Sequence, residues 1–436
     1  MDTLAKLRAG QLAGLTRLDL SCGLTEFPQE IFQLADSLEI LNLSGNALTR
    51  LPDDLHRLTR LRILFCSDNQ FTELPTCLGQ CAQLSMIGFK ANQIASVPGE
   101  ALPPLLRWLI LTDNCISQLP EELGQRPRLQ KLMLAGNRLH DLPKNLINCE
   151  RLELIRLAAN QFTDLPETVL TLPALSWLAY AGNPLNDDAS TLRPADSTPD
   201  IQWSQLELEQ KLGEGASGII HQARWARPGH APQSVAVKLY KSSITSDGSP
   251  LNEMNACIAA GEHPNLIKVL GRVAGHPDNQ AGLVMELIDP SFSNLASLPS
   301  FDSCSRDEYA GSTRFTYASA LRIARGIASA ANHLHARGIC HGDLYAHNIL
   351  YNAEGDCVLG DFGAACFHAT DDSQQSRALQ RIEVRAFGIL LGELLQRIDS
   401  GLSDQGRDML QDLHNRCMQP EVLKRPGFTE VLQLLH

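Results

Sequence analysis

A lysine, a glutamate, two aspartates and an asparagine follow one another in the second half of the chain, behind three closely spaced glycines. The glycines are Gly213, Gly215 and Gly218, within the run Leu212-Gly-Glu-Gly-Ala-Ser-Gly-Ile-Ile220 between two strand-like stretches. Without side chains, they let the backbone come close to phosphate oxygens. Lys238 ends a Val-Ala-Val-Lys run, and Glu253 follows in a helical stretch. Asp343 and Asn348 stand five residues apart, and Asp361 opens Asp-Phe-Gly behind the strand-like Cys357-Val-Leu-Gly360. Phosphoryl transfer needs a positioned triphosphate, metal charge, and a base for the attacking hydroxyl, and each need has a candidate among these residues.

Elements of regular structure must deliver them. The stretch Leu251 to Ala260 reads as a helix carrying Glu253, with His263-Pro-Asn265 after it. A helix over Ala318 to Arg337 places Leu321, Ala324, Ile327, Ala331 and Leu334 on one face, a buried support for the loop His341-Gly-Asp-Leu-Tyr-Ala-His-Asn348. Leu283-Val-Met-Glu-Leu287 reads as a strand, and Val384 to Leu394 as a helix.

Taken together, from Leu206 to Leu435, these segments resemble the protein kinase superfamily. The resemblance implies an α+β bilobal domain using ATP with Mg2+, or Mn2+ in its place. It gives Asp343 the acceptor hydroxyl to orient and deprotonate, and Asn348 and Asp361 the metal. Lys238 would bind the α- and β-phosphates, held in its rotamer by Glu253. Gly213, Gly215, Gly218, Ile220, Ala236, Glu286 and Leu350 would complete the nucleotide site, with small Ala236 roofing the adenine.

Several positions depart from that family. Gly342 replaces the arginine that commonly pairs with a phosphorylated activation segment, so such phosphorylation is not the expected switch. About twenty residues separate Asp361 from a central helix expected to begin near Glu383, itself in place of an aspartate, with no Ala-Pro-Glu between them. Tyr345 and His347 match neither the serine/threonine nor the tyrosine pattern; serine/threonine is the expectation by frequency. Pro290 to Thr316 is serine-rich and reads as a mobile insert near the cleft, and Thr370, Ser373 and Ser376 as loop residues open to autophosphorylation.

The first half of the chain repeats. Leucines at 15, 38, 61, 84, 106, 129, 152 and 175 open units of 22 to 23 residues. Asparagine stands eight residues on in seven of them: Asn46, Asn69, Asn92, Asn114, Asn137, Asn160 and Asn183. The period resembles leucine-rich repeats, in which each unit buries its face only by stacking on its neighbours. Of the outward strand positions, Phe65, Ile110 and Met133 are apolar where a solvated strand would be polar. They read as a docking face for a protein partner, with the chain's own kinase domain as the other occupant. The positions two residues earlier, including Trp108 and Trp177, read as partly buried.

Bulk properties narrow the rest. The net charge of −12 argues against nucleic acid as the main partner. No stretch approaches the roughly 18 apolar residues of a membrane span, and residues 1–20 show no signal-peptide core. Twelve scattered cysteines without a CxxC read as reduced, mostly buried thiols. The expected architecture is an α/β leucine-rich-repeat solenoid (1–185), a polar linker (186–203) and a kinase-like catalytic domain (204–436) in a cytoplasmic protein. The expected function is ATP-dependent protein phosphorylation. Two alternatives stand beside it: a pseudokinase scaffold, and a small-molecule phosphotransferase of the aminoglycoside or choline kinase type.

Overall fold

The computed structural model describes residues 3–186, 198–241, 245, 247–399 and 404–435. The chain forms two compact units, Met1–Ala174 and Leu175–His436. That division falls about ten residues before the end of the repeat pattern. Residues 187–197 of the expected linker lie outside the described residues.

After a short helix α1 (Thr3–Arg8), eight three-residue strands run in chain order in one sheet. They are β1 (Arg17–Asp19), β2 (Ile40–Asn42), β3 (Ile63–Phe65), β4 (Met86–Gly88), β5 (Trp108–Ile110), β6 (Lys131–Met133), β7 (Leu154–Arg156) and β8 (Trp177–Ala179). Neighbours in β1 to β7 pair in parallel without slippage. A central inward leucine or isoleucine on each strand, such as Leu41, Leu64, Ile87 and Leu109, is fully buried. Short 3-10 turns, and in one unit the helix α2 (Glu167–Thr171), return the chain to the next strand.

The asparagines tie unit to unit. Asn137 accepts the N–H of Ile116 at 3.0 Å and donates to the carbonyls of Leu111 (2.9 Å) and Leu134 (3.0 Å). Asn114 and Asn160 repeat this set one unit to either side. Backbone groups stranded where the chain leaves the strand are thereby satisfied, each worth about 1–3 kcal/mol if left unpaired.

In the second unit, a six-stranded sheet has the order β10-β11-β12-β14-β13-β9. Its members are β9 (Asp200–Gln202), β10 (Leu206–Glu214), β11 (Gly218–Trp225), β12 (Gln233–Tyr240), β13 (Val269–Ala274) and β14 (Gly282–Glu286). One face buries Leu206, Ala223, Val235, Val237, Leu239 and Val284. Trp203 packs against that cluster and sits edge-on to His276 at 4.4 Å. The other face carries Ala236, Leu283 and Met285 and meets α3 (Pro250–Ala260) through Ile258. Pro250 in its first turn and the Ser249 hydroxyl, accepting the Leu251 N–H, start this helix.

A mainly helical lobe follows. Strand β15 (Ser293–Asn294) precedes α4 (Tyr317–Ala336), whose buried face includes Ala324, Ile327, Ala331 and Leu334. Next come β16 (Ile339–Cys340), β17 (Ile349–Tyr351), β18 (Cys357–Leu359) and β19 (Cys366–Phe367). Helices α5 (Gln374–Leu395), α6 (Asp404–Cys417) and α7 (Phe428–Leu435) complete it.

Helix α5 begins nine residues before the expected Glu383. Ser373 is its N-cap, accepting the Ser376 N–H, and Ser376 is buried in the first turn. Neither serine is the open loop residue that composition suggested. The stretch Pro290 to Thr316 is likewise built in. It supplies β15, an isolated bridge from Ser297 to Glu308, and buried Cys304, Ser305 and Asp307. All twelve cysteines are free, nine of them buried. No helix among the described residues is long and apolar enough to cross a membrane.

Candidate functional site

Register sets which side chains share a face of the sheet. Ile220 pairs with Lys238 and Ala236 with Met285, so these side chains share one face. The glycine loop joins β10 to β11, closed by the Gly215 N–H to Gly218 O bond of 2.9 Å. A Cβ at Gly213 or Gly215 would meet nothing within 4 Å, whereas one at Gly218 would strike Leu239 O at 2.5 Å. The first two glycines thus leave open space, and the third lets the strands close. Between them, Glu214 bonds Lys211 (2.6 Å) and Lys241 (2.7 Å), and this lysine pair draws its pKa down to about 2. Leu350 is half-buried on β17, and exposed Glu286 ends β14 with its N–H on Lys268 O.

Lys238 reaches across to α3 and forms an ion pair with Glu253, both nearly buried. Burial alone would favour the neutral amine. Glu253 and Asp361 outweigh it and hold the Lys238 pKa above its ordinary value. Burial pushes Glu253 upward, against the pull of Lys238. A buried pair of this kind gives little net stability, because desolvating both ions offsets their attraction.

The loop between β16 and β17 holds Asp343 and Asn348. The Asn348 amide donates to Asp343 O (2.9 Å) and to Asp343 Oδ2 (3.0 Å). Two bonds fasten this loop to the Asp-Phe-Gly segment: His341 Nε2 to Gly360 O (2.8 Å), and Gly360 N to Asn348 O (2.9 Å). Phe362 is buried, its ring 5.1 Å from that of His341. Asp361 stays exposed with a φ of 55°, its Oδ1 accepting the Gly363 N–H. Asp361 lies near enough to Lys238 for its charge to help raise the lysine pKa.

Several groups in this site have partners that the sequence did not show. Glu383, on α5, accepts the Gly342 N–H at 2.8 Å and bonds His335 at 2.7 Å. The longer side chain thus anchors the loop from beneath where an aspartate was expected. His335, Cys340 and Glu383 lie close enough to hold a metal, but Glu383 is already committed to those two bonds. Asp307 receives both the backbone N–H (3.0 Å) and Nδ1 (2.7 Å) of His347. Burial would lower the His347 pKa, but Asp307, with Asp343 and Asp361 beyond it, raises it. Trp177, expected to be partly buried, is 1 % exposed and stacks on Tyr345 at 4.0 Å and 7°.

In the first unit, Phe65, Gly88, Ile110 and Met133 are consecutive register partners. A Cβ at Gly88 would lie 2.6 Å from the Phe65 ring and 3.6 Å from Ile110 Cδ1, so the two side chains close over the glycine. Phe65, Ile110 and Met133 are each half-buried. The Trp108 indole donates to the Met133 sulfur at 3.2 Å.

Residues 206–390 match the family model described as protein tyrosine and serine/threonine kinase, and residues 13–71 match leucine rich repeat. A probable serine/threonine-protein kinase of Dictyostelium discoideum is 23 % identical over 277 residues, covering 54 % of this chain and 28 % of its own. CBL-interacting protein kinase 22 of Oryza sativa subsp. japonica is 31 % identical over 172 residues, covering 38 % of each. The chain spans less than two thirds of the length of these curated relatives. Among solved structures, a leucine-rich-repeat protein of Leptospira interrogans is 35 % identical, with a TM-score of 0.39, covering 41 % of this chain and 46 % of that one. The chain therefore joins N-terminal leucine-rich repeats to a C-terminal protein kinase domain.

Proposed function

We propose that this chain is an ATP-dependent protein kinase, of serine/threonine type, with its repeats recruiting a protein. The observation that carries the reading is the buried Lys238–Glu253 pair beside Asp361. A desolvated ion pair with little structural return is expected where it holds a lysine ready for phosphate.

The residues present fit a metal-bound nucleoside triphosphate. Asp361, Asn348 and Asp343 present oxygens, the donor type that magnesium or manganese prefers. Open space above Gly213 and Gly215 leaves backbone room for phosphates, beside the Ile220, Ala236 and Leu350 side chains for a base. When bound, Mg-ATP supplies the γ-phosphoryl and the charge that neutralises its transfer. Lys238, fixed by Glu253, would hold the phosphates. Asp343, its carboxylate held by the Asn348 amide, would orient the acceptor hydroxyl and take its proton. Serine/threonine specificity rests on the two kinases above, whose names mark one of them as that type. The scaffold alternative is disfavoured by the presence of all five side chains. The small-molecule alternative is disfavoured by the full glycine loop and the Arg425-Pro426 block.

Incubation with Mg-ATP labelled at the γ-phosphate tests this. Label is expected on the protein or on a generic protein substrate, and absent with Asp343→Ala. ATP binding without labelled protein would overturn it. For the repeats, the half-buried patch of Phe65, Ile110 and Met133 is the proposed contact for the recruited protein. The proposed setting is the cytoplasm, in keeping with free thiols.

A further inference from the structure

Six residues, Leu175–Tyr180, touch the catalytic loop and the segment behind Asp-Phe-Gly at five places within the second unit, and Arg425 at a sixth. Leu175 O accepts from buried Arg425 at 3.5 Å. The Trp177 ring stacks on Tyr345, and its Nε1–H donates to Leu344 O at 3.1 Å. Leu178 O lies where a side chain at residue 342 would begin, 2.8 Å from a Cβ built there. The Tyr180 N–H reaches Cys366 Sγ at 3.0 Å, and its hydroxyl donates to Phe367 O at 3.0 Å.

Resting on the phosphotransfer reading above, we propose that Leu175–Tyr180 is a built-in support for the catalytic loop. It does the positioning work that a phosphorylated activation segment does elsewhere, and Trp177 is the positioning residue for Asp343. Two features lead there. Gly342 removes the arginine that would grip a phosphate, and the space is filled by Leu178 O and Ala364 O. The chain between Asp361 and α5 is short, and part of it is spent in the pairing of β19 with β16.

The path from Trp177 to Asp343 is direct. The indole fixes the carbonyl of Leu344, next to Asp343 in the chain, and the ring of Tyr345. The Tyr345 N–H closes back on Asp343 O at 2.8 Å. Asn348 then bonds both the carbonyl and the carboxylate of Asp343. With the indole gone, one flank of this turn loses its wall while the glycine loop and Lys238 keep theirs.

The test compares full-length wild type, Trp177→Ala and Trp177→Phe. Turnover with Mg-ATP, ATP affinity, and amide hydrogen exchange across 342–348 are measured on each. Trp177→Ala is expected to lower turnover at least tenfold with ATP affinity within twofold. Exchange at 342–348 should quicken while residues 213–218 exchange as in wild type. Trp177→Phe, which keeps the stack, should recover most of the turnover. Phosphatase treatment of wild type should leave turnover unchanged. Unaltered turnover and exchange in Trp177→Ala would overturn the proposal, as would equal loss of turnover and ATP binding in both variants. Loss of activity on phosphatase treatment would also overturn it. If wild type transfers no phosphate, the phosphotransfer reading fails, while exchange at 342–348 still decides whether Trp177 holds the loop.

Discussion

Restoring the arginine that most protein kinases carry before the catalytic aspartate should damage this protein. Gly342 has a φ of 73°, and a Cβ there would lie 2.4 Å from Ala364 O and 2.8 Å from Leu178 O. Any L-residue in that backbone region pays about 1–2 kcal/mol. Both obstructing atoms are backbone oxygens, so relief requires main-chain movement, adding about 1–3 kcal/mol as for overpacking elsewhere. The shift would also strain the Gly342 N–H bond to the buried Glu383 carboxylate. The total for Gly342→Ala is about 2–5 kcal/mol, with Gly342→Arg at the upper end or beyond. For a unit of this size that lowers the melting temperature by roughly 5–15 °C. Differential scanning calorimetry on both variants measures it, with phosphate transfer assayed well below the melting point. A Gly342→Arg protein as stable as wild type would refute the steric argument.

Two other outcomes follow from sites elsewhere in the structure. Glu393 accepts the Tyr309 hydroxyl at 3.0 Å, and burial, with Asp307 adding, pushes its pKa from 4.5 to about 7. The folded protein keeps this proton to higher pH than the unfolded chain, so stability is full below pH 4.5 and falls as pH rises to about 7, by ~3 kcal/mol. Glu393→Gln should remove that decline, and denaturation curves for the two proteins should diverge between pH 5 and 8; parallel curves would contradict it. On the repeats, Ile110→Asp or Phe65→Glu should abolish capture of a partner found with wild type, leaving ATP binding intact, and unchanged capture would remove the patch from consideration.

The parts legible in the sequence were those fixed by local repetition or by backbone need. The leucine and asparagine spacing located all eight repeat strands, because each unit meets its neighbour in the same way. The glycine loop between β10 and β11 was legible because closely spaced glycines mark a turn where backbones approach, a Cβ at Gly218 meeting Leu239 O at 2.5 Å. The start of α5 was missed because Gln374 to Arg381 is polar and its signal is one capping serine, Ser373. Asp307 was hidden in a serine-rich stretch whose composition resembles a loop; only its bond to His347, 40 residues away, shows its place. Trp177 was read as one more strand residue because its partner, Leu344, is 167 residues distant.

The boundary between the compact units at Ala174 and Leu175 bears on how such a chain can be inherited. Upstream repeats are interchangeable modules, since each asparagine set needs only a like neighbour. Duplication or loss of whole units among them leaves every remaining interface intact. The eighth is not interchangeable: Trp177 and Tyr180 are matched to Tyr345, Leu344, Cys366 and Phe367. Recombination that spliced a new repeat array at the end of the visible leucine pattern would discard those partners. Lineages should therefore vary in repeat number ahead of residue 175 and carry the last repeat with the kinase as a single heritable block.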